Sequence, residues 1–184
     1  MRLCVFCGSK TGDDPRFSQA AIDTGTLLAR RGIGIVYGGG RVGLMGVLAD
    51  AARAAGGEVI GVIPRSLAER EVAHSGLSQL HIVESMHERK ALMAELSAGF
   101  IALPGGFGTL EEFCEVITWS QLGIHTKPCG ILNVAGYFDN LIGMFDYGVR
   151  RGFISDVHRE IVLESEEPGD LIERMLKLTE VGFR

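Results

Sequence analysis

The chain has 184 residues, of which 46% are apolar and 22% charged, and carries a formal net charge of −5. That length suits a single domain over residues 1–184 with a core that needs no disulfide staples. The acidic balance argues against a nucleic-acid partner, which calls for a basic surface. A small anion needs only a few local donors, so it is not excluded.

The first strand is expected at Leu3–Cys7. It opens MRLCVFCGSK, where Gly8, Ser9 and Lys10 break the apolar run too early for a secretory leader. No later run is long enough to span a bilayer. The expectation is a cytoplasmic protein with no membrane partner. Cys4 and Cys7 form C-x-x-C, which has a redox or zinc reading and a plainer one, two buried strand cysteines. A zinc site would need a second matched pair, and Cys114 and Cys129 are too far apart to supply it.

Further strands are expected at Ile33–Tyr37, Val59–Ile63, Leu80–Val83, Phe100–Leu103, Cys129–Val134 and Ile161–Leu163. Helices are expected at about 15–31, 43–56, 86–98, 110–122, 138–151 and 168–179. Strands alternating with helices imply a parallel sheet with helices on both faces, an α/β Rossmann-like doubly wound fold of about seven strands. Asp14 before Pro15 caps the first helix, and Gly32 ends it. Ser85-x-x-Glu88 and Thr109-x-x-Glu112 both read as capping boxes.

In such a sheet, ligands bind beyond the carboxyl ends of the strands. Four loops fall there. Gly8-Ser9-Lys10 follows the first strand, and Gly38 to Gly46, including Gly39 and Gly40, follows the second. Glu84 to Lys90 follows the fourth, and Pro104-Gly105-Gly106-Phe107-Gly108-Thr109 to Glu112 follows the fifth. The last is the strongest signal. Glycines between a strand and a helix expose backbone N–H groups to a ligand, and the helix end favours an anion. Gly38-x-Gly40-x-x-Gly43 matches a dinucleotide fingerprint in spacing but follows the wrong strand, and Glu58 stands at the wrong strand end for a ribose contact. The alternative for the fifth-strand loop is a tight turn without a ligand.

Arg89 and Lys90 stand near the start of a helix, where positive charge opposes the helix dipole. They are either a solvated face offset by Glu88 or contacts to an anion. Glu112 either closes its capping box or lies beside whatever the phosphate carries. There it could stabilise charge on a sugar, orient ribose hydroxyls or activate water. Glu84 is a second candidate for that role. No His or Cys set has metal-ligand spacing, so neither metal nor cofactor is expected.

Pro104 to Glu112 resembles the PGGxGTxxE signature of the LOG family, the cytokinin riboside 5′-monophosphate phosphoribohydrolases, also labelled lysine decarboxylases. Ser85-Met86-His87-Glu88-Arg89-Lys90 is similar to that family's MHxRK segment, and Val5 to Ser9 and Gly38 to Gly46 are similar to other family features. The resemblance implies a homodimer that hydrolyses an N6-modified adenosine 5′-monophosphate, or AMP itself, to free base (cytokinin or adenine) and ribose 5-phosphate. It implies Arg89 and Glu112 as catalytic residues, Gly105, Gly106, Gly108 and Thr109 as the phosphate cradle, and Met86 and Lys90 as pocket lining. Decarboxylation would need pyridoxal phosphate on a lysine, and Lys10, Lys90, Lys127 and Lys177 lack a fitting context. The competing reading is a non-catalytic nucleotide or molybdenum-cofactor carrier, which needs the cradle but no carboxylate beside a ribose.

Overall fold

The first helix, α1 (Pro15–Arg30), begins as its sequence dictates. The Asp14 carboxylate accepts from the Arg16 N–H at 2.9 Å, with Pro15 in the first turn, and Gly32 leaves the helix at φ +67°. Phe17, Ala20, Ala21, Thr24 and Leu28 recur every three or four residues and form its buried face. The computed structural model describes residues 1–68 and 73–181.

Among these residues, seven strands form one sheet: β1 (Arg2–Phe6), β2 (Gly34–Tyr37), β3 (Val59–Pro64), β4 (Gln79–Val83), β5 (Phe100–Ala102), β6 (Cys129–Leu132) and β7 (Val162–Ser165). Their order is β4-β3-β2-β1-β5-β6-β7, and every pairing is parallel. The remaining helices are α2 (Gly43–Ala54), α3 (Arg65–Ala68), α4 (Met86–Glu95), α5 (Phe107–Gln121), α6 (Asp139–Arg150), α7 (Asp156–Arg159) and α8 (Pro168–Val181). The short α3 and α7 and a 3-10 turn at Val134–Gly136 add to the elements expected from periodicity.

Side chains along a strand alternate between faces. Leu3, Val5 and Cys7 enter one core, with α1, α2 and α8. Cys4 and Phe6 enter the other, with α4 and α5. The two cysteines of the C-x-x-C therefore lie in opposite layers. All four cysteines are free thiols, and burial pushes those of Cys4 and Cys7 up. The plain core reading holds, and the spacing that suggests a redox pair is strand geometry. No helix among the described residues is long and apolar enough to cross a membrane.

α2 and α4 end earlier than expected, at Ala54 and Glu95, and the start of α5 differs in a way that bears on the site. α5 starts at Phe107 with Gly106 in extended geometry as its N-cap, and no side chain bonds to that end. Thr109 and Glu112 thus both lie inside the helix, and their capping-box reading is overturned. Ser85 does cap its helix, but the return bond from Glu88 reaches the residue before the cap. The Ser85 hydroxyl accepts from Glu88 N–H at 3.1 Å, and the Glu88 carboxylate accepts from the Glu84 N–H at 3.0 Å.

The sheet order reverses direction at β1. From there the chain runs outward through β2, β3 and β4, then returns to the other side of β1 with β5. Cys4 pairs with Phe100 and Phe6 with Ala102. The loops leaving β1 and β5 diverge above this junction, opening the crevice that α/β sheets use for ligands. Leu103 N–H donates to Phe6 O at 2.9 Å and Gly8 N–H to Pro104 O at 3.0 Å, so the two strand ends stay zipped beneath the opening.

Candidate active site

Above this junction lies a hollow of about 210 Å³, whose lining includes Gly8, Ser9, Gly38, Met45, Arg89, Gly106, Phe107, Gly108, Thr109 and Glu112. A larger annex of about 330 Å³ adjoins it across Gly8, Ser9 and Gly106. Phe17, Leu44, Pro104, Gly105 and Tyr137 are among its walls.

Arg89 leaves the first turns of α4 and runs under the hollow. Its Nε donates to Val62 O at 3.1 Å, and its Nη2 to Gly38 O at 3.2 Å. Its Nη1 lies 3.2 Å from Glu112 Oε1 on α5. Both residues are about nine-tenths buried, at 8% and 9% exposed. Burial pushes the Glu112 carboxyl up, while the Arg89 guanidinium pulls the other way, and the net direction is upward.

Glycine supplies the room for this arrangement. A β-carbon on Gly38 would fall 2.1 Å from Arg89 Nη2. Gly106 and Gly108 are different. A β-carbon at either would meet no atom within 4 Å, and neither has positive φ. Neither packing nor backbone angle calls for glycine at these two positions. The N–H groups of Phe107, Gly108 and Thr109 begin α5 and have no helical partners of their own. Beside them is Thr109, whose hydroxyl lies where a β-carbon on Gly105 would intrude.

Of the residues expected at the site, Arg89, Glu112, Gly8, Ser9, Gly106, Gly108 and Thr109 share the hollow. Pro104 and Gly105 line the adjoining annex instead. The others have different surroundings. Glu84 pairs with Arg65 at 2.9 Å. The Lys90 ammonium lies between Glu111 at 2.5 Å and Glu115 at 3.0 Å. Met86 is exposed, with its sulfur 3.9 Å from Arg89 Nη1. Gly39 packs on Ile63 and Leu80 at φ +78°, and Gly40 bridges to Ala73. Met45 and Phe107 fall within the loops singled out from sequence but were given no role there, and Tyr137 was missed. Tyr137 was findable, because the loop after β6 opens on the same sheet edge as the four loops considered.

The parallel sheet, the crevice at its point of reversal and the glycine-lined helix end define a Rossmann-like protein with a candidate ligand site at that edge. The family described as "Possible lysine decarboxylase" matches residues 45–175. A probable cytokinin riboside 5′-monophosphate phosphoribohydrolase of Oryza sativa subsp. japonica, LOGL1, is 49% identical over 178 residues, which is 97% of this chain and 80% of the relative. Cytokinin riboside 5′-monophosphate phosphoribohydrolase LOG1 of Arabidopsis thaliana is 49% identical over 95% of this chain and 82% of its own length. The chain belongs to this family, the LOG family. In fold it resembles a molybdenum cofactor binding protein from Rippkaea orientalis (TM-score 0.73, 21% identity, 96% of both chains covered). It also resembles the molybdenum cofactor carrier protein of Chlamydomonas reinhardtii (TM-score 0.71, 18% identity, 98% of both chains).

The family description invites a test for pyridoxal phosphate, which amino-acid decarboxylation would hold on a lysine. The lining of the Arg89–Glu112 hollow contains no lysine. Lys90 is held by two carboxylates, Lys127 donates to Ala94 O at 2.7 Å, Lys177 pairs with Glu173, and Lys10 lies on the exposed rim of the annex. These residues do not fit that cofactor.

The glycines can be separated by stability alone. Gly38→Ala should displace Arg89 and leave Glu112 buried without its partner, at a cost of about 3 kcal/mol. Differential scanning calorimetry should then record a midpoint lower by about 6–12 °C. Gly106→Ala, whose β-carbon meets nothing, should leave the midpoint within about 1 °C by the same measure.

Proposed function

We propose that the chain hydrolyses the N-glycosidic bond of adenosine 5′-monophosphates, including N6-modified ones, to free base and ribose 5-phosphate. The observation that carries this reading is the buried Arg89–Glu112 pair beside an uncapped, glycine-lined helix end. The named activity of its relatives at 49% identity supports it.

In this reading the phosphate binds the N–H groups of Phe107, Gly108 and Thr109 and the Thr109 hydroxyl, with Gly8 and Ser9 facing it. The ribose then lies over Glu112. As the bond from C1′ to the base nitrogen breaks, positive charge grows on the sugar, and the Glu112 carboxylate stabilises it. Water adds its oxygen to C1′, and its proton passes by way of Glu112 to the departing base nitrogen, which restores the carboxylate. Arg89 keeps Glu112 ionised despite its burial and is oriented by two carbonyls, so it cannot swing away. A carrier would need the cradle but gains nothing from a buried ion pair that costs desolvation.

The same reading includes a homodimer. Phe107, at the mouth of the hollow, is 93% exposed, and Phe153 is 89% exposed, with Leu122, Ile124, Met144 and Val157 also bare. Apolar side chains in such number are a reason to expect a partner surface. Four free thiols suit a reducing cytoplasm.

Purified protein given AMP or isopentenyladenosine 5′-monophosphate should release free base and ribose 5-phosphate, while the unphosphorylated ribosides should stay intact. Glu112→Gln should lower kcat by about a hundredfold or more with nucleotide binding retained. Equal loss of binding and turnover would sink the catalytic role. The rate should also depend on pH. The active form of Glu112 is the carboxylate, and burial raises its pKa above 4.5, so kcat/KM should fall on acidification at a higher pH than an exposed glutamate would give. Sedimentation equilibrium should return twice the chain mass, and Phe153→Asp should shift that equilibrium toward single chains if this face is buried between subunits.

A further inference from the structure

Tyr137 belongs to none of the motifs that mark the site. It follows β6 at the end of a turn with two consecutive left-handed residues, Ala135 at φ +54° and Gly136 at φ +71°. A non-glycine residue in that region is strained and persists only where its surroundings enforce it. Here Asn133 does so. Its side-chain oxygen accepts from the Phe138 N–H at 2.8 Å, and its amide nitrogen donates to Asp139 at 2.7 Å. The turn aims Tyr137 back across the top of the sheet. Its ring sits edge-on to Phe17 at 5.5 Å and to Phe138 at 4.9 Å. Its hydroxyl donates to the carbonyl oxygen of Gly105 at 2.5 Å.

That carbonyl belongs to the peptide joining Gly105 to Gly106. A trans peptide is planar, with its C=O and N–H pointing in opposite directions. Tyr137 and Gly105 line the annex and Gly106 lines both spaces, so an oxygen held by Tyr137 leaves the Gly106 N–H facing away from that hydroxyl. Two glycines flank this bond, and glycine restrains peptide rotation least. Gly106 has no neighbour that a β-carbon would touch. Gly105 itself packs against Thr109 and Gly8, and the Tyr137 hydroxyl is the side-chain group that bonds to the oxygen of this peptide.

We propose that Tyr137 is a positioning residue for the phosphate cradle, holding the Gly105–Gly106 peptide so that the Gly106 N–H joins the first-turn N–H groups of α5 as an anion donor. The inference rests on the phosphate reading of that helix end. It assigns Tyr137 no contact with the reacting atoms.

Tyr137→Phe tests it, because the ring and its packing remain while the hydroxyl goes. Loss of one oriented donor should raise KM for AMP by about three- to tenfold, with kcat within about twofold of wild type. Isothermal titration should show inorganic phosphate and ribose 5-phosphate weakened by the same factor and free adenine unchanged. Ile172→Val thins the buried core under α8, away from both spaces, and should lower the thermal midpoint without moving phosphate affinity. The proposal is overturned if Tyr137→Phe leaves phosphate affinity unchanged, if it weakens adenine equally, or if Ile172→Val weakens phosphate as much. Wild-type protein that binds phosphate yet cleaves no monophosphate would instead reject the hydrolase reading, and the phosphate titrations would still decide the role of Tyr137.

Discussion

The Arg89 side chain ties the molecule together at its functional edge. One guanidinium reaches the end of β2 through Gly38, the β3 backbone through Val62, and α5 through Glu112, from its own place on α4. Carbonyls at the carboxyl ends of parallel strands need donors once buried, and a planar cation with five N–H groups can serve several together. Desolvating that cation is costly and is offset only while every partner keeps its place. The positions of four segments therefore become one condition, and a group that bridges sequence positions far apart cannot be moved piecemeal.

Much of the fold could be read from residues because its rules are local. The β-branched runs, Asp14 before Pro15, and Gly32 after α1 each act within a few positions of themselves. The carboxyl-edge rule then led to most of the hollow's lining. What stayed hidden depended on partners distant in sequence. Nothing near Glu84 shows that Arg65 holds it, and nothing near Lys90 shows that Glu111 and Glu115 engage it. The two S/T-x-x-E patterns make the point most clearly. Ser85 caps its helix, whereas Thr109 lies inside a helix that Gly106 begins earlier. The pattern is the same, and the difference is whether a glycine upstream can take the N-cap position first.

Glycine has two distinct roles around this site. At Gly38 it makes way for a protein group, so the fold itself demands it. At Gly106 and Gly108 the surrounding space is open, and no protein group makes the demand. Glycine retained where neither backbone angle nor packing calls for it is a sign of function, because it costs entropy on folding with no return in packing.

The pairing of Cys4 with Phe100 also bears on how the protein is made. β1 to β4 sit together on one side of the sheet and can associate as the chain emerges. β5 must then insert beside β1, its partner from the far end of that segment, and parallel pairings of such separation form slowly. Arg89 precedes this insertion in the chain and Glu112 follows it. During synthesis, the buried cation waits without its carboxylate until the second half docks. Activity appears only in the finished fold, and an interrupted chain would carry an exposed central strand edge, the part most open to aggregation or proteolysis.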